Sequence, residues 1–346
     1  MSVFSGLYAA KTVINGKFCV TLPIPASDDS FADHTYVITG ANSGLGFEAC
    51  LHLARVGVGR LILAVRTLSK GEDARHKILD AIASNDWRSK DHTIVIEVWQ
   101  LDMDSYASVK AFAGRCASDL DRLDGVLANA GIMTTKFDYS NSVERTLQVN
   151  VLCTLYLYLL LLPQMRGSAE RTGFASRFAI PNSALHYAAP TAELTMTTPI
   201  IDRLNDPAKA DMAGRYPLSK LLVLYAVREL AARQGTAGGH SGSSGVIINT
   251  PNPSFCKSDL HRENPDSKAF QVFEKIMARS AEEGARTLVH GLLAGPETNG
   301  QYLSDCKVEI PARHVTSRWG QGIQKSFLEE VLVKLERVHP GISSNI

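Results

Sequence analysis

Short runs of apolar, often β-branched residues alternate along the chain with longer stretches whose apolar positions return every three to four residues. The short runs predict strands over 35–39, 60–64, 93–100, 125–128, 177–180, 245–249 and 301–304. The longer stretches predict helices over 44–56, 69–84, 105–120, 142–162, 216–233 and 281–294. Such alternation stacks βαβ units into a parallel sheet. The expectation is an α/β fold: one doubly wound parallel sheet of about seven strands flanked by helices. It occupies residues 35–310, with an N-terminal extension over 1–34 and a C-terminal extension over 311–346 packing on the same domain. Two stretches break the alternation, 184–215 and 251–280. Both follow the carboxyl ends of strands, where open α/β sheets bind ligands, and are expected to be substrate loops.

Composition narrows the classes. The chain has 346 residues, 45% hydrophobic and 21% charged, enough to bury a core and unlike a disordered chain. Its 36 basic and 35 acidic side chains balance, and no local basic motif stands out, so no nucleic-acid partner is expected. The six cysteines form no CxxC pair, which reads as reduced thiols in a cytoplasmic protein. Lys11, Asn15 and Lys17 interrupt the N-terminal apolar stretch, which reads as an extension with a short helix and not as a signal peptide. The run 151–162 is shorter than the roughly 20 residues that span a bilayer, so it reads as a buried or interface helix with no spanning segment. No metal-ligand spacing is present, and none is expected.

The first chemical signal lies where the first strand turns into a helix. In TGANSGLG, Gly40, Gly44 and Gly46 allow a tight turn and close approach of a pyrophosphate, and the helix N-terminus offers free N–H groups. Asn42, Ser43 and Leu45 belong to the same loop. The position after the first strand of a βαβ unit makes this a Rossmann-like dinucleotide loop. The second strand ends in Val65-Arg66, without the carboxylate that would hold an adenosine ribose, so NADP(H) is favoured over NAD. Lys70 either assists Arg66 or faces water. Asp102, after the third strand, either accepts from the adenine amino group or caps a turn.

The second signal is Tyr216-Pro217-Leu218-Ser219-Lys220. It sets a phenol and an ammonium four residues apart on one helix face, and a nearby ammonium is one way to lower a phenol's pKa. Asn129, Ala130 and Gly131 at the end of the fourth strand leave room for a cofactor. Asn150 is a polar group on an apolar helix face, either catalytic or satisfying backbone groups. Ser183 is a hydroxyl at the end of the fifth strand. His186 reads as a structural loop histidine.

Taken in order, TGANSGLG, NAG at 129–131, Asn150, Ser183, YPLSK at 216–220 and PNPSFCKSDL at 251–260 resemble the short-chain dehydrogenase/reductase family. The LAVR, SALH and NGQYLSDC segments are similar to the retinol-dehydrogenase-like branch, many of whose members occur in fungal biosynthetic clusters. The resemblance implies that Tyr216 is the acid/base and that Lys220 binds the nicotinamide ribose while depressing the tyrosine pKa. It also implies that Ser183 hydrogen-bonds the carbonyl oxygen, that Asn150 holds a relay water, and that Pro253, Phe255 and Ser258 face the cofactor. It implies pairing of subunits through the 151–162 helix as a homodimer, the alternative being burial within one chain, and it extends to peripheral membrane association.

Three features depart from the pattern. Pro181-Asn182 precede Ser183 where relatives commonly carry a serine pair. Ser254 replaces the glycine of the usual PG pair. The gap between Ser183 and Tyr216 is long, which suits a bulky, mostly apolar substrate. The expected function is an NADP(H)-dependent oxidoreductase interconverting a ketone and a secondary alcohol on a lipophilic small molecule, a ketoreductase of secondary metabolism. The alternatives are a non-catalytic dinucleotide-binding sensor, or a cyclase or isomerase reusing the same pocket.

Overall fold

Where the sequence alternates between periods of two and of three to four residues, the chain alternates between strands and helices. The computed structural model describes residues 3–85, 93–195, 198–237, 245–257, 260 and 268–346. In chain order it begins with α1 (Val3–Cys19), β1 (Thr35–Thr39), α2 (Gly44–Val56), β2 (Arg60–Val65), α3 (Leu68–Asn85), β3 (Val95–Gln100), α4 (Tyr106–Asp119) and β4 (Gly125–Leu127). A hairpin of β5 (Tyr139–Ser140) and β6 (Val143–Glu144) leads into one long helix made of α5 (Arg145–Leu147), a π segment (Gln148–Cys153) and α6 (Thr154–Thr172). Then come β7 (Ser176–Ala179), α7 (Ile200–Leu204), α8 (Met212–Ala237), β8 (Val246–Asn252), α9 (Lys268–Met277), α10 (Ala281–Leu293), β9 (Tyr302–Ser304), β10 (Lys307–Val308), α11 (Arg313–Thr316) and α12 (Arg318–Val338).

Among the described residues the main sheet has eight strands, in the order β10-β9-β8-β7-β4-β1-β2-β3. It is parallel except for the β9–β10 pair. The expectation of about seven strands missed β10, whose two residues are too few for an apolar run to register. From β1 the chain winds outward through β2 and β3, then crosses to β4 on the other side of β1. That reversal opens a crevice at the carboxyl ends of β1 and β4.

Alternating side chains of each central strand feed two separate cores. Val37, Ile62 and Val126 pack with α4, α6, α8 and α12, whereas Tyr36, Ile38, Leu61 and Leu63 pack with α2, α3 and α10. The helix from Arg145 to Thr172 is long and apolar enough to cross a membrane by length and composition alone, so the sequence reading understated its length. In the fold it is a core helix, with 89% of its most apolar window buried. Its start also differs from the expected residue 142. Asn141 and Ser142 adopt positive φ, 47° and 64°, and close a two-residue hairpin instead. Glu144 then caps the helix, its carboxylate accepting from the backbone N–H groups of Thr146 and Leu147.

Pro163 lies inside α6, where it cannot donate to the carbonyl of Leu159. The side-chain amide of Asn345 donates to that carbonyl instead, at 3.0 Å, while Arg166 donates to the Asn345 carbonyl at 2.5 Å. The C-terminal segment is therefore built into the core helix. Preceding it, α12 lies along α8 and buries Ile323, Phe327, Leu328, Val331, Leu332 and Leu335.

Candidate active site

The glycine loop closes the crevice from below. Gly40 sits at φ +66°, in the left-handed region. A β-carbon on Gly46 would stand 2.5 Å from the Gly40 carbonyl oxygen and 2.6 Å from Asn129 Nδ2, so only glycine lets α2 approach the ends of β1 and β4. Asn129 Nδ2 donates to the Thr39 carbonyl at 3.1 Å, and the Ala130 N–H donates to Thr39 Oγ1 at 2.8 Å, locking the two strand ends together. Ser43, at the N-cap of α2, makes no side-chain capping bond, which leaves the first N–H groups of the helix for a ligand.

A cleft of about 430 Å³ runs along this loop. Gly40, Asn42, Ser43, Gly44 and Leu45 line one side, Asn129, Ala130 and Gly131 another; Gly46 packs beneath it. Arg66 and Lys70 border the cleft beyond the end of β2, both exposed, and among the described residues no carboxylate pairs with either. Asp102 borders it as well while its Oδ1 accepts the Asp104 N–H at 3.0 Å, so it both caps a turn and faces the cleft. Asp104 in turn holds Arg145 at 2.7 Å, fixing the start of the core helix against the loop after β3.

Tyr216 and Lys220 border the same cleft from α8. Lys220 Nζ donates to the Pro181 carbonyl at 2.7 Å and lies 5.5 Å from the Tyr216 ring centre. Burial pushes the Tyr216 phenol well above its ordinary pKa and pulls the Lys220 ammonium down to about 8. Pro181 falls just past the end of β7, and its missing N–H costs nothing there. Ile180 and Asn182 on either side donate to the carbonyls of Asn249 and Pro251 and carry the pairing with β8 past it.

The structure separates two residues that the sequence sets together. Asn182, which the sequence reading passed over, is buried and borders the cleft, with Nδ2 donating to the Lys220 carbonyl at 3.1 Å. Ser183 is half-buried and stands back from the cleft lining. Its Oγ accepts the Leu185 N–H at 3.1 Å and so starts the 3₁₀ turn Ala184–Ala188. Asn150 is also outside the lining. Its Oδ1 accepts the Ile132 N–H and its Nδ2 donates to the Ile132 carbonyl and to Ser219 Oγ, so its side chain ties the π segment to both walls. Pro253 borders the cleft. Phe255 is outside the lining and packs against Phe273, ring centres 5.7 Å apart and planes tilted by 36°, and Ser258 lies outside the described residues. Ser254 occupies the left-handed region at φ +68°, its N–H donating to Asn252 Oδ1.

The remaining lining combines the Asp104–Arg145 ion pair and Pro181 with Thr67, Leu101, Met103, Ile132, Met133, Thr134, Val149 and Leu260. No residue type marks these positions in the sequence. Among the described residues no three His, Cys, Asp or Glu side chains gather as a metal site.

The sequence model described as short chain dehydrogenase matches residues 34–173. The short chain dehydrogenase/reductase dmxR8 of Cryptosporiopsis sp. (strain 8999) is 38% identical over 334 residues, covering 94% of this chain and 97% of that relative. The short chain dehydrogenase atnD of Emericella nidulans is 40% identical over 287 residues, covering 82% and 87%. Among solved structures, a short chain dehydrogenase from Pseudomonas syringae shares the fold with a TM-score of 0.57 at 20% identity, covering 82% of this chain and all of that one. The alcohol dehydrogenase of Thermococcus sibiricus, solved with 5-hydroxy-NADP, has a TM-score of 0.54 at 17% identity, covering 78% and 95%.

Proposed function

Since the chain belongs to the short-chain dehydrogenase/reductase family, we propose that it is an NADP(H)-dependent ketoreductase of secondary metabolism acting on a lipophilic ketone. One observation carries this reading: a single cleft is lined both by Tyr216 and Lys220 and by Arg66 and Lys70, with which no carboxylate pairs among the described residues.

The cleft fits a dinucleotide. The uncapped start of α2 suits a pyrophosphate, and the small residues 129–131 leave space for the sugar and ring beyond it. Arg66 and Lys70 would hold a 2′-phosphate. A bound NADPH supplies the hydride. Lys220, fixed by the Pro181 carbonyl, would meet the nicotinamide ribose, and Tyr216 would donate its phenolic proton to the oxygen of the developing alkoxide.

Burial keeps the Tyr216 phenol protonated, so it holds the proton that reduction consumes, and the Lys220 ammonium does not lower its pKa as the resemblance implies. Asn182 would stand beside the substrate oxygen together with Ser183, whose hydroxyl proton remains free to donate while its oxygen accepts from Leu185. Asn150, with its side chain committed, would act through the shape it gives the π segment. The six unpaired cysteines suit a reducing compartment such as the cytoplasm.

The test is titration of the purified protein with NADPH and NADH, followed by a screen of lipophilic ketones for NADPH consumption. Preferential NADPH binding with turnover supports the proposal. Preferential binding without turnover across a broad panel favours the sensor, and equal binding of both cofactors removes the role given to Arg66.

A further inference from the structure

His186 lies three residues beyond Ser183, fully buried, and takes no part in the chemistry above. Its ring nitrogens face partners of opposite kind. Nδ1 is 2.8 Å from the Ser183 carbonyl oxygen, which can only accept, and Nε2 is 3.2 Å from the Ala312 backbone N–H, which can only donate. Both contacts together require a neutral ring with its proton on Nδ1. Burial pulls the imidazole down to about 4, so the ring is neutral at ordinary pH.

The surroundings hold that ring still. It packs against Tyr187 at 4.1 Å and Tyr302 at 4.6 Å, and the Tyr187 hydroxyl donates to the Ile310 carbonyl. The Ser183 carbonyl receives two donors from this one residue, the backbone N–H at 3.1 Å and Nδ1. These fix the plane of the peptide after Ser183, while Asn182 Oδ1 accepts the Ser183 N–H on the other side.

We propose that His186 is a positioning residue for the reaction: it locks the Ser183 peptide against the 310–312 segment and so sets the direction in which Ser183 meets the substrate oxygen. This rests on the ketoreductase reading, and it makes the region after β10 part of the catalytic support.

The test compares the full-length wild type with His186→Asn, which keeps a donor near Nδ1, and His186→Leu, which keeps bulk and loses both bonds. Expected are a kcat lowered about tenfold or more in H186L, recovery to within about threefold of wild type in H186N, and unchanged NADPH affinity in both. Wild-type kcat in H186L, equal losses in the two variants, or a parallel fall in NADPH affinity would overturn the proposal. Should H186L not fold, His186→Gln replaces it. Its side chain reaches Ala312 but not Ser183, so Asn must outperform Gln, and the reverse order refutes the assignment.

Wild-type protein that binds NADPH and reduces no ketone would count against the ketoreductase reading alone. The positioning claim is then decided by amide exchange at Leu185, whose N–H bonds to Ser183 Oγ. Faster exchange in H186L with wild-type exchange in H186N supports it, and identical exchange in all three rules it out.

Discussion

Tyr216, Lys220 and Arg66 each carry a charge or a proton that the proposed reaction uses, so each has a sharp expected phenotype. Tyr216→Phe should lower kcat by roughly a hundredfold to ten-thousandfold while NADPH binding is unchanged; retained turnover would remove Tyr216 from proton donation. Arg66→Ala should weaken NADPH by roughly tenfold to a hundredfold and leave NADH as it was, a contrast read by fluorescence titration. Lys220 predicts a pH profile. Its ammonium is charged below about 8 and loses its proton above that value, so the reductive rate should hold near neutral pH and fall as pH rises past about 8. A rate that keeps rising above pH 9 would contradict the role given to Lys220.

At this scale the sequence was legible where chemistry depends on residue type, as for the phenol, the ammonium and the glycines. It was not legible where the backbone decides. Nothing in Asn182-Ser183 says which side chain turns to the cleft. That follows from the 3₁₀ turn, which sets Ser183 back from the lining and uses its oxygen as an acceptor while leaving its proton free.

The elements were legible wherever packing imposes a period. The strands and helices that frame the cleft fall within a few residues of their expected bounds, because each buries one face and exposes or shares the other. The hairpin of β5 and β6 escaped, since two-residue strands carry no period, and its turn rests on positive φ at Asn141 and Ser142. The extent of α6 escaped because the apolar run that marks the helix stops at Leu162 and the residues after Pro163 are mostly polar. The chain continues through it, and Asn345 satisfies the carbonyl that Pro163 orphans. Asn345→Ala should therefore destabilise the protein by about 1–2 kcal/mol, seen as a lower midpoint in urea with an unchanged slope. An unchanged midpoint would mean that water serves the Leu159 carbonyl equally well.

Across the whole molecule, two cores back one sheet, and α12 adds a further layer over α8. The six large side chains that α12 buries are worth roughly 10 kcal/mol together, comparable to the net stability of a typical domain. The core helix itself is buried over 89% of its most apolar window and packs on α4 and on the turn Ile342–Asn345, which supports the single-chain alternative over pairing through that surface. Light scattering after size exclusion should report one chain per particle. A dimer persisting at low concentration would have to use another face, and removal of residues 318–346 should yield insoluble protein, not a dimer.

The bond between Asn345 and Leu159 joins positions 186 residues apart and so also orders events in time. During synthesis the core helix leaves the ribosome with one carbonyl unmet and one flank bare. At about 5–20 residues per second it waits roughly 10–40 s for its cover to be translated. Throughout that interval the nascent chain displays its most apolar helix, until the turn over Ile342–Asn345 arrives to cover it.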